Sequence, residues 1–267
     1  MFSLELACSP ELKDILIAEL AEQGSTGILE TDIGGLRAFF PDHARASALV
    51  RRFARFGARY QAEEARDWVE FSKALWEPLL AGSRFFLVPE WRDDPTPPGR
   101  LRITIDPGQA FGTGYHESTQ LCLEALERHL KPGMTVLDVG TGSGILAAAS
   151  ALLGAGRVFA CDIDPVAVQI ARRNCACVFA GSASAVRTQS VDLVAANIDS
   201  KTIVAIVPDV MLCLRPGGLA LLGGLESGEV PEVRKALETA GLAIRETIHK
   251  GGWSLLTATG ILPGKRD

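Results

Sequence analysis

Residues 136–150, V-L-D-V-G-T-G-S-G-I-L-A-A-A-S, constrain the fold more than any other stretch of the chain. A β-type apolar run ends at Asp138. Glycines follow at every second position, Gly140, Gly142 and Gly144, and a helix of small residues begins at Ile145. Strand, glycine turn and helix in that order make a nucleotide site at the carboxyl edge of a parallel sheet. A dinucleotide turn reads G-x-G-x-x-G, with its third glycine placed for close helix packing. Here the spacing is G-x-G-x-G, preceded by an acid two residues before the first glycine.

The chain around this motif reads as two domains with a linker. In residues 1–66, Phe2 to Cys8 alternates as a half-buried strand, and Ser9-Pro10-Glu11 starts a helix that Gly24 closes. Two strands follow at 27–30 and 36–40, then a helix capped by Asp42 and a fourth strand candidate at Arg59–Ala62. The order βαββαβ predicts a small ferredoxin-like α+β domain. Residues 67–82 read as an amphipathic linker helix broken near Pro78. Residues 83–267 hold strands at 85–88 and 101–105, a helix from about Ser118, the Val136 strand, and further strands at 158–162, 178–180, 191–197, 219–222, 242–248 and 254–259. Helices are expected from Asp164 to about Asn174, over 208–214 and over 231–240. This alternation predicts a Rossmann-like, mostly parallel α/β sheet closed by an antiparallel strand.

Charge and composition exclude several classes. Net charge is −5, which gives no global basic field for nucleic acid, and no direct nucleic-acid binding is expected. The cluster Arg45, Arg51, Arg52, Arg55 and Arg59 reads as a solvated helix face before it reads as a docking surface. The start of the chain lacks the pattern of a signal peptide, and apolar runs break well short of a membrane span, so the cytoplasm is the expected compartment. Six scattered cysteines read as free thiols; Cys175-Ala176-Cys177 has neither zinc nor redox spacing, and no metal is expected.

Asp162 ends the strand after the glycine turn, eighteen positions beyond Gly144, where a carboxylate can accept both ribose hydroxyls. Dehydrogenases place an acid there too, so Asp162 alone does not discriminate. The pattern D-x-G-x-G-x-G resembles the first motif of class I S-adenosylmethionine-dependent methyltransferases, and the later strands fit their seven-stranded core. Two further pieces narrow the resemblance. D-P-G-Q-A-F-G-T-G-Y-H-E-S-T at 106–119 resembles the loop before the core in the ribosomal protein L-eleven methyltransferase (PrmA) family, and A-N-I at 196–198 resembles that family's A-N-I-L. The tract from Trp68 to Asp93 is similar to the family's linker and first core strand.

The resemblance implies S-adenosyl-L-methionine as cofactor and contacts to it from Thr119, Gly140, Asp162 and Asn197, on a floor made by Gly140, Gly142 and Gly144. It implies a flap from Phe111, Gly112, Thr113 and Gly114 over the methyl donor. Without it, Thr119 reads as a first-turn helix residue and Phe111 as a core aromatic. It further implies a large-subunit ribosomal protein as substrate, lysine methylation, and an N-terminal domain that holds the substrate. Asn197 is the catalytic candidate, because its carbonyl can accept N–H bonds from an amine and aim the lone pair at the methyl carbon. His116 is an available base, read first as a loop hydrogen-bonding residue. Three departures bear on the acceptor: Asp199 stands where the family has leucine, Glu117 where it has proline, and the segment from Asn174 to Val191 is short. A same-scaffold enzyme for another protein or small amine, and a silent cofactor-binding module, stay open beside the leading reading. The number of copies in the assembly is not legible.

Overall fold

The computed structural model describes residues 1–9, 12–31, 34–62, 76–106 and 114–260. It contains two compact units, Met1–Leu75 and Trp76–Asp267.

In the first unit the expected order is present: β1 (Phe2–Leu6), α1 (Lys13–Glu22), β2 (Gly27–Glu30), β3 (Leu36–Phe40), α2 (Ala46–Arg52) and β4 (Arg59–Ala62). The strands pair antiparallel in the order β2-β3-β1-β4, so the uncertain fourth strand lies along β1. Phe2, Leu4, Leu16, Leu20, Leu36 and Phe53 form its dry centre. The Phe2 ring stacks on Phe40 at 5.3 Å and on Tyr60 at 5.5 Å. The arginines keep to the exterior: Arg45 caps the Gln23 carbonyl, and Arg55 lies over the Phe56 ring. Pro10 and Glu11, at the expected helix start, lie outside the described residues.

Most of the expected linker helix, over 67–75, also lies outside the described residues. Its last part is a strand, β5 (Leu79–Ala81), which turns at Gly82 into β6 (Phe85–Pro89). Pro78 has no N–H to continue a helix, and Gly82 has the positive φ of +55° that a tight reversal needs. The Glu127 carboxylate fixes that turn by accepting from Ser83 N, Ser83 Oγ and Arg84 N at 2.9, 2.8 and 2.8 Å. β7 (Leu101–Ile105) adds parallel to β6. The tract that resembles a first core strand therefore belongs to a separate three-stranded sheet.

The large sheet has seven strands: β8 (Thr135–Val139), β9 (Arg157–Asp162), β10 (Cys177–Ala180), β11 (Val191–Asn197), β12 (Leu214–Glu226), β13 (Leu242–Lys250) and β14 (Trp253–Gly260). Their order is β10-β9-β8-β11-β12-β14-β13, parallel through β12 and antiparallel at β14. Helices α3 (Glu117–His129) and α4 (Ile145–Leu152) pack on one face, and α6 (Ser200–Cys213) and α7 (Val230–Thr239) on the other; α5 (Pro165–Ala171) links β9 to β10. Both faces are covered, so the strands are continuously apolar. Val136, Leu193 and Leu221 point to one core, while Leu137, Val194 and Leu222 point to the other.

The expected helix at 208–214 is longer than the sequence suggests. It begins at Ser200 and carries Pro208 inside. Asp199 caps it by accepting from Thr202 N at 3.0 Å and Thr202 Oγ1 at 2.5 Å. A strong N-terminal cap and a buried face of Ile203, Val207 and Val210 outweigh the missing proline N–H. Four of the six free cysteines are buried. Among the described residues, no helix is long and apolar enough to cross a membrane.

Candidate functional site

Parallel pairing brings the carboxyl ends of β8, β9, β11 and β12 to one edge, where an open α/β sheet places its ligands. Gly140, Gly142 and Gly144 all have positive φ, at +68°, +53° and +81°, which a side chain would strain. The turn they make is clamped to the end of β9. Gly140 N and Thr141 N both donate to the Cys161 carbonyl, at 2.9 and 3.0 Å. Gly142 N donates to Asp162 Oδ2 at 2.9 Å. Asn174 Nδ2 holds the far side through the Ser143 carbonyl at 2.9 Å. A Cβ on Gly140 would overlap Cγ2 of Ile198, so glycine here lets the chain after β11 close over the turn.

Asp138 lies under the turn, 1% exposed. Its Oδ2 accepts from Thr141 Oγ1 at 2.7 Å and Ala147 N at 3.1 Å, while the buried Oδ1 has no hydrogen-bond partner. Burial pushes this carboxyl up to about 7 against the pull of those two donors. Asp162 stands half-exposed at the rim, with Oδ1 accepting from Asp164 N at 3.0 Å. Each of its oxygens keeps a lone pair for a further donor. Ile163, next in the chain, is 81% exposed, an apolar surface beside a carboxylate that can receive a flat ring. Asp164 caps α5 through Val166 N at 2.8 Å, which leaves Asp162 free of that task.

Asn197 ends β11. Its Nδ2 donates to Thr119 Oγ1 at 3.1 Å, and its buried Oδ1 has no partner. Thr119 is 1% exposed in the first turn of α3 and Asn197 is half-buried, so two polar groups from distant parts of the chain meet in a part-buried bond. Gly223 faces Asn197 on β12. A Cβ there would stand 3.4 Å from Asn197 Oδ1 and 2.5 Å from Cys122 Sγ. The pairing of β12 with β14 shifts register between Leu222 and Leu225, and the next residue, Gly224, has φ +80° against the Ile198 backbone. Gly223 and Gly224 are the site residues that sequence reasoning missed. A glycine pair inside an apolar strand is a signal of a bulge and close backbone approach.

Gly114, just before α3, lies against the same turn. Gly114, with φ +83°, is buried so tightly that a Cβ would overlap Leu87 Cδ1 and approach Ile145 Cδ1 at 3.0 Å. Ile145 is the first residue after the glycine turn. The other flap residues, Phe111, Gly112 and Thr113, lie outside the described residues. His116 caps α3: its Nδ1 is 2.8 Å from Ser118 Oγ and accepts from Ser118 N, while its ring meets Trp253 edge-on at 4.5 Å. Glu117 packs against the hairpin at Gly251. Asp199 is committed to its helix cap; the Thr202 hydroxyl and then its N–H hold that carboxyl below the ordinary range.

The arrangement offers a carboxylate at the rim, an apolar surface beside it, a buried carboxyl under a glycine turn, and one amide oxygen with no partner. These groups suit a neutral hydroxyl-bearing ligand at the rim and an N–H donor at the amide.

A family model described as "Ribosomal protein L11 methyltransferase (PrmA)" matches residues 5–260. A protein of that name from Pelotomaculum thermopropionicum is 43% identical over 200 residues, 72% of this chain and 65% of its own length. One from Pelobacter propionicus is 34% identical over 94% of this chain and 95% of its own length. The crystal structure of a ribosomal protein L11 methylase from Lactobacillus delbrueckii subsp. bulgaricus superposes with TM-score 0.65 at 31% identity, covering 69% of this chain and 99% of that one.

Proposed function

The chain belongs to the ribosomal protein L11 methyltransferase (PrmA) family of S-adenosylmethionine-dependent enzymes, and on that premise we propose that it methylates lysine amines of ribosomal protein L11 with Asn197 as the acceptor-orienting residue. The observation that carries the residue assignment is the unpartnered, buried Asn197 Oδ1 at the carboxyl edge of the sheet. A buried polar oxygen without a partner is costly unless a ligand supplies the donor.

The site's groups fit the cofactor. Asp162 would hold the ribose hydroxyls, Ile163 the face of the adenine, and the Gly140–Gly144 turn and Thr119 the methionine end. Bound S-adenosylmethionine supplies an activated methyl group, so the protein's own work is alignment and desolvation. A lysine amine enters protonated, with a solution pKa near ~10.4, and must lose a proton to water before it can attack. Asn197 Oδ1 accepts an N–H of the neutral amine and orients its lone pair. The bond to Thr119 Oγ1 anchors the amide beside the acceptor. His116 serves as a helix cap and Asp199 as another, so neither is the base in this reading.

The N-terminal unit supplies the surface for the protein substrate. Leu12 and Ile15, 44% and 59% exposed on and beside α1, line a small groove with Phe56 and Arg55. Methyl transfer from radiolabelled cofactor to purified L11, set beside other ribosomal proteins and free lysine, tests the reading. Label on L11 supports it; label on free lysine alone contradicts it.

A further inference from the structure

A cavity of about 640 Å³ opens at the opposite, amino edge of the seven-stranded sheet. Thr135 and Arg157 are the first residues of β8 and β9, Ser190 immediately precedes β11, and Arg215 lies at the start of β12. The cavity exists because one crossover is trimmed. From β8 to β9, β9 to β10 and β11 to β12 the chain passes through α4, α5 and α6. From β10 to β11 it crosses two strands within residues 181–190, with a single 3-10 turn at Ala183–Ala185. A parallel crossover ordinarily carries a full helix over the sheet. Without one, the half-buried rings of Phe159 and Phe179 line open space.

Three arginines surround those rings although the chain is acidic overall. Arg215 is fixed, with Nη1 at 2.7 Å from both oxygens of Asp192, which also accepts from Thr135 N at 2.8 Å. Arg157 and Arg187 are exposed, and among the described residues neither has an ion-pair partner. The rim between them is held rather than loose. Gln189 has φ +49°, and no other non-glycine residue among those described has a positive φ. Its N–H donates to the Leu212 carbonyl and that of Ser190 to Cys213, both at 2.9 Å, which pins the loop to the end of α6. Backbone strain of this kind persists where the surroundings enforce it, and it concentrates at binding sites.

Aromatic rings take a flat ligand face, guanidinium groups take an anion, and the Gln189 amide can meet a base edge with both donor and acceptor. The volume is that of a small-molecule site, roughly 300–1,000 Å³. We propose that this cavity binds a mononucleotide, its base against Phe159 and Phe179 and its phosphate between Arg157 and Arg187. Arg157 and Arg215 lie at the amino edge of the sheet, opposite the methyl-donor site, while Phe179, level with Cys161, extends the cavity along the sheet face.

The test is calorimetry on the full chain with AMP, GMP and UMP in turn, at saturating S-adenosylhomocysteine to block the methyl-donor site. Each parent nucleoside and inorganic phosphate are titrated alongside. The expected result is one-to-one binding of at least one nucleotide, tighter than its nucleoside or phosphate alone. Arg157→Ala with Arg187→Ala should weaken it about tenfold or more, with methyl transfer unchanged. No binding of any nucleotide at millimolar concentration overturns the proposal. So does binding that ignores the double substitution, or phosphate alone binding as tightly as the nucleotide.

Discussion

The Asn197 side-chain nitrogen donates to the Thr119 hydroxyl across 3.1 Å, joining the end of β11 to the first turn of α3. The Thr119 hydroxyl is shielded from water and the Asn197 side chain half-buried, so the bond anchors the amide at the end of the strand. Thr119→Val keeps the volume and removes the acceptor, leaving the amide nitrogen unpaired and its orientation undefined. Methyl transfer should fall about tenfold or more in kcat, with Thr119→Ser restoring most of it. Equal losses in the valine and serine variants would show that packing, not the hydroxyl, matters.

Asp138 should make stability depend on pH in a particular direction. The folded chain holds its proton up to about 7, whereas an unfolded chain releases it near ~3.9. Its contribution is neutral below the unfolded value and turns unfavourable as pH rises through that window, by up to a few kcal/mol. Asp138→Asn, which can still accept from Thr141 and Ala147, should lack this loss between about pH 4 and 7 in urea unfolding. Parallel pH profiles for the two proteins would contradict the assignment.

Asp199 presents the opposite case. Its carboxyl is held below the ordinary range, so the stability it adds is present above about pH 4 and is lost as pH falls through the lowered value. Asp199→Ala should cost about 0.5–2 kcal/mol of stability through the lost cap, and Asp199→Ser much less. Neither should change kcat at neutral pH. A large fall in kcat with stability intact would place this carboxylate at the acceptor instead.

Ile15, 59% exposed on α1, tests the role of the first unit. Ile15→Glu should raise KM for L11 about tenfold while leaving kcat and cofactor affinity unchanged. A variant with unchanged KM would remove this face from substrate recognition.

Much of this was legible because local signals agreed with the global pattern. Alternating small-residue helices and apolar strands from Val136 onward dictate the parallel sheet, and parallel strands necessarily bring Asp138, Asp162 and Asn197 to one edge. The βαββαβ order of the first unit likewise follows from its turn residues. Asp199 is harder, because a carboxylate two residues beyond a strand reads equally as a ligand or as a cap. Only the hidden start of α6 at Ser200 decides it, and Pro208 disguises that start. Leu79–Ala81 reads with the linker because a three-residue strand has no periodicity of its own. Gly223 and Gly224 look like weak points of a strand until Asn197 and Ile198 are found against them. The flap at 111–113 lies outside the described residues.

The proposed function has two parts, methylation of ribosomal protein L11 and orientation of the acceptor by Asn197. Intact-mass analysis of L11 from cells lacking the gene, complemented with wild type or with Asn197→Ala, tests both parts, provided calorimetry confirms that the variant still binds S-adenosylmethionine. Wild type should leave methyl-sized mass increments on L11, in steps of about 14 Da per CH₂ added, and Asn197→Ala none. Unmodified L11 with wild type, or full modification with the variant, would contradict it.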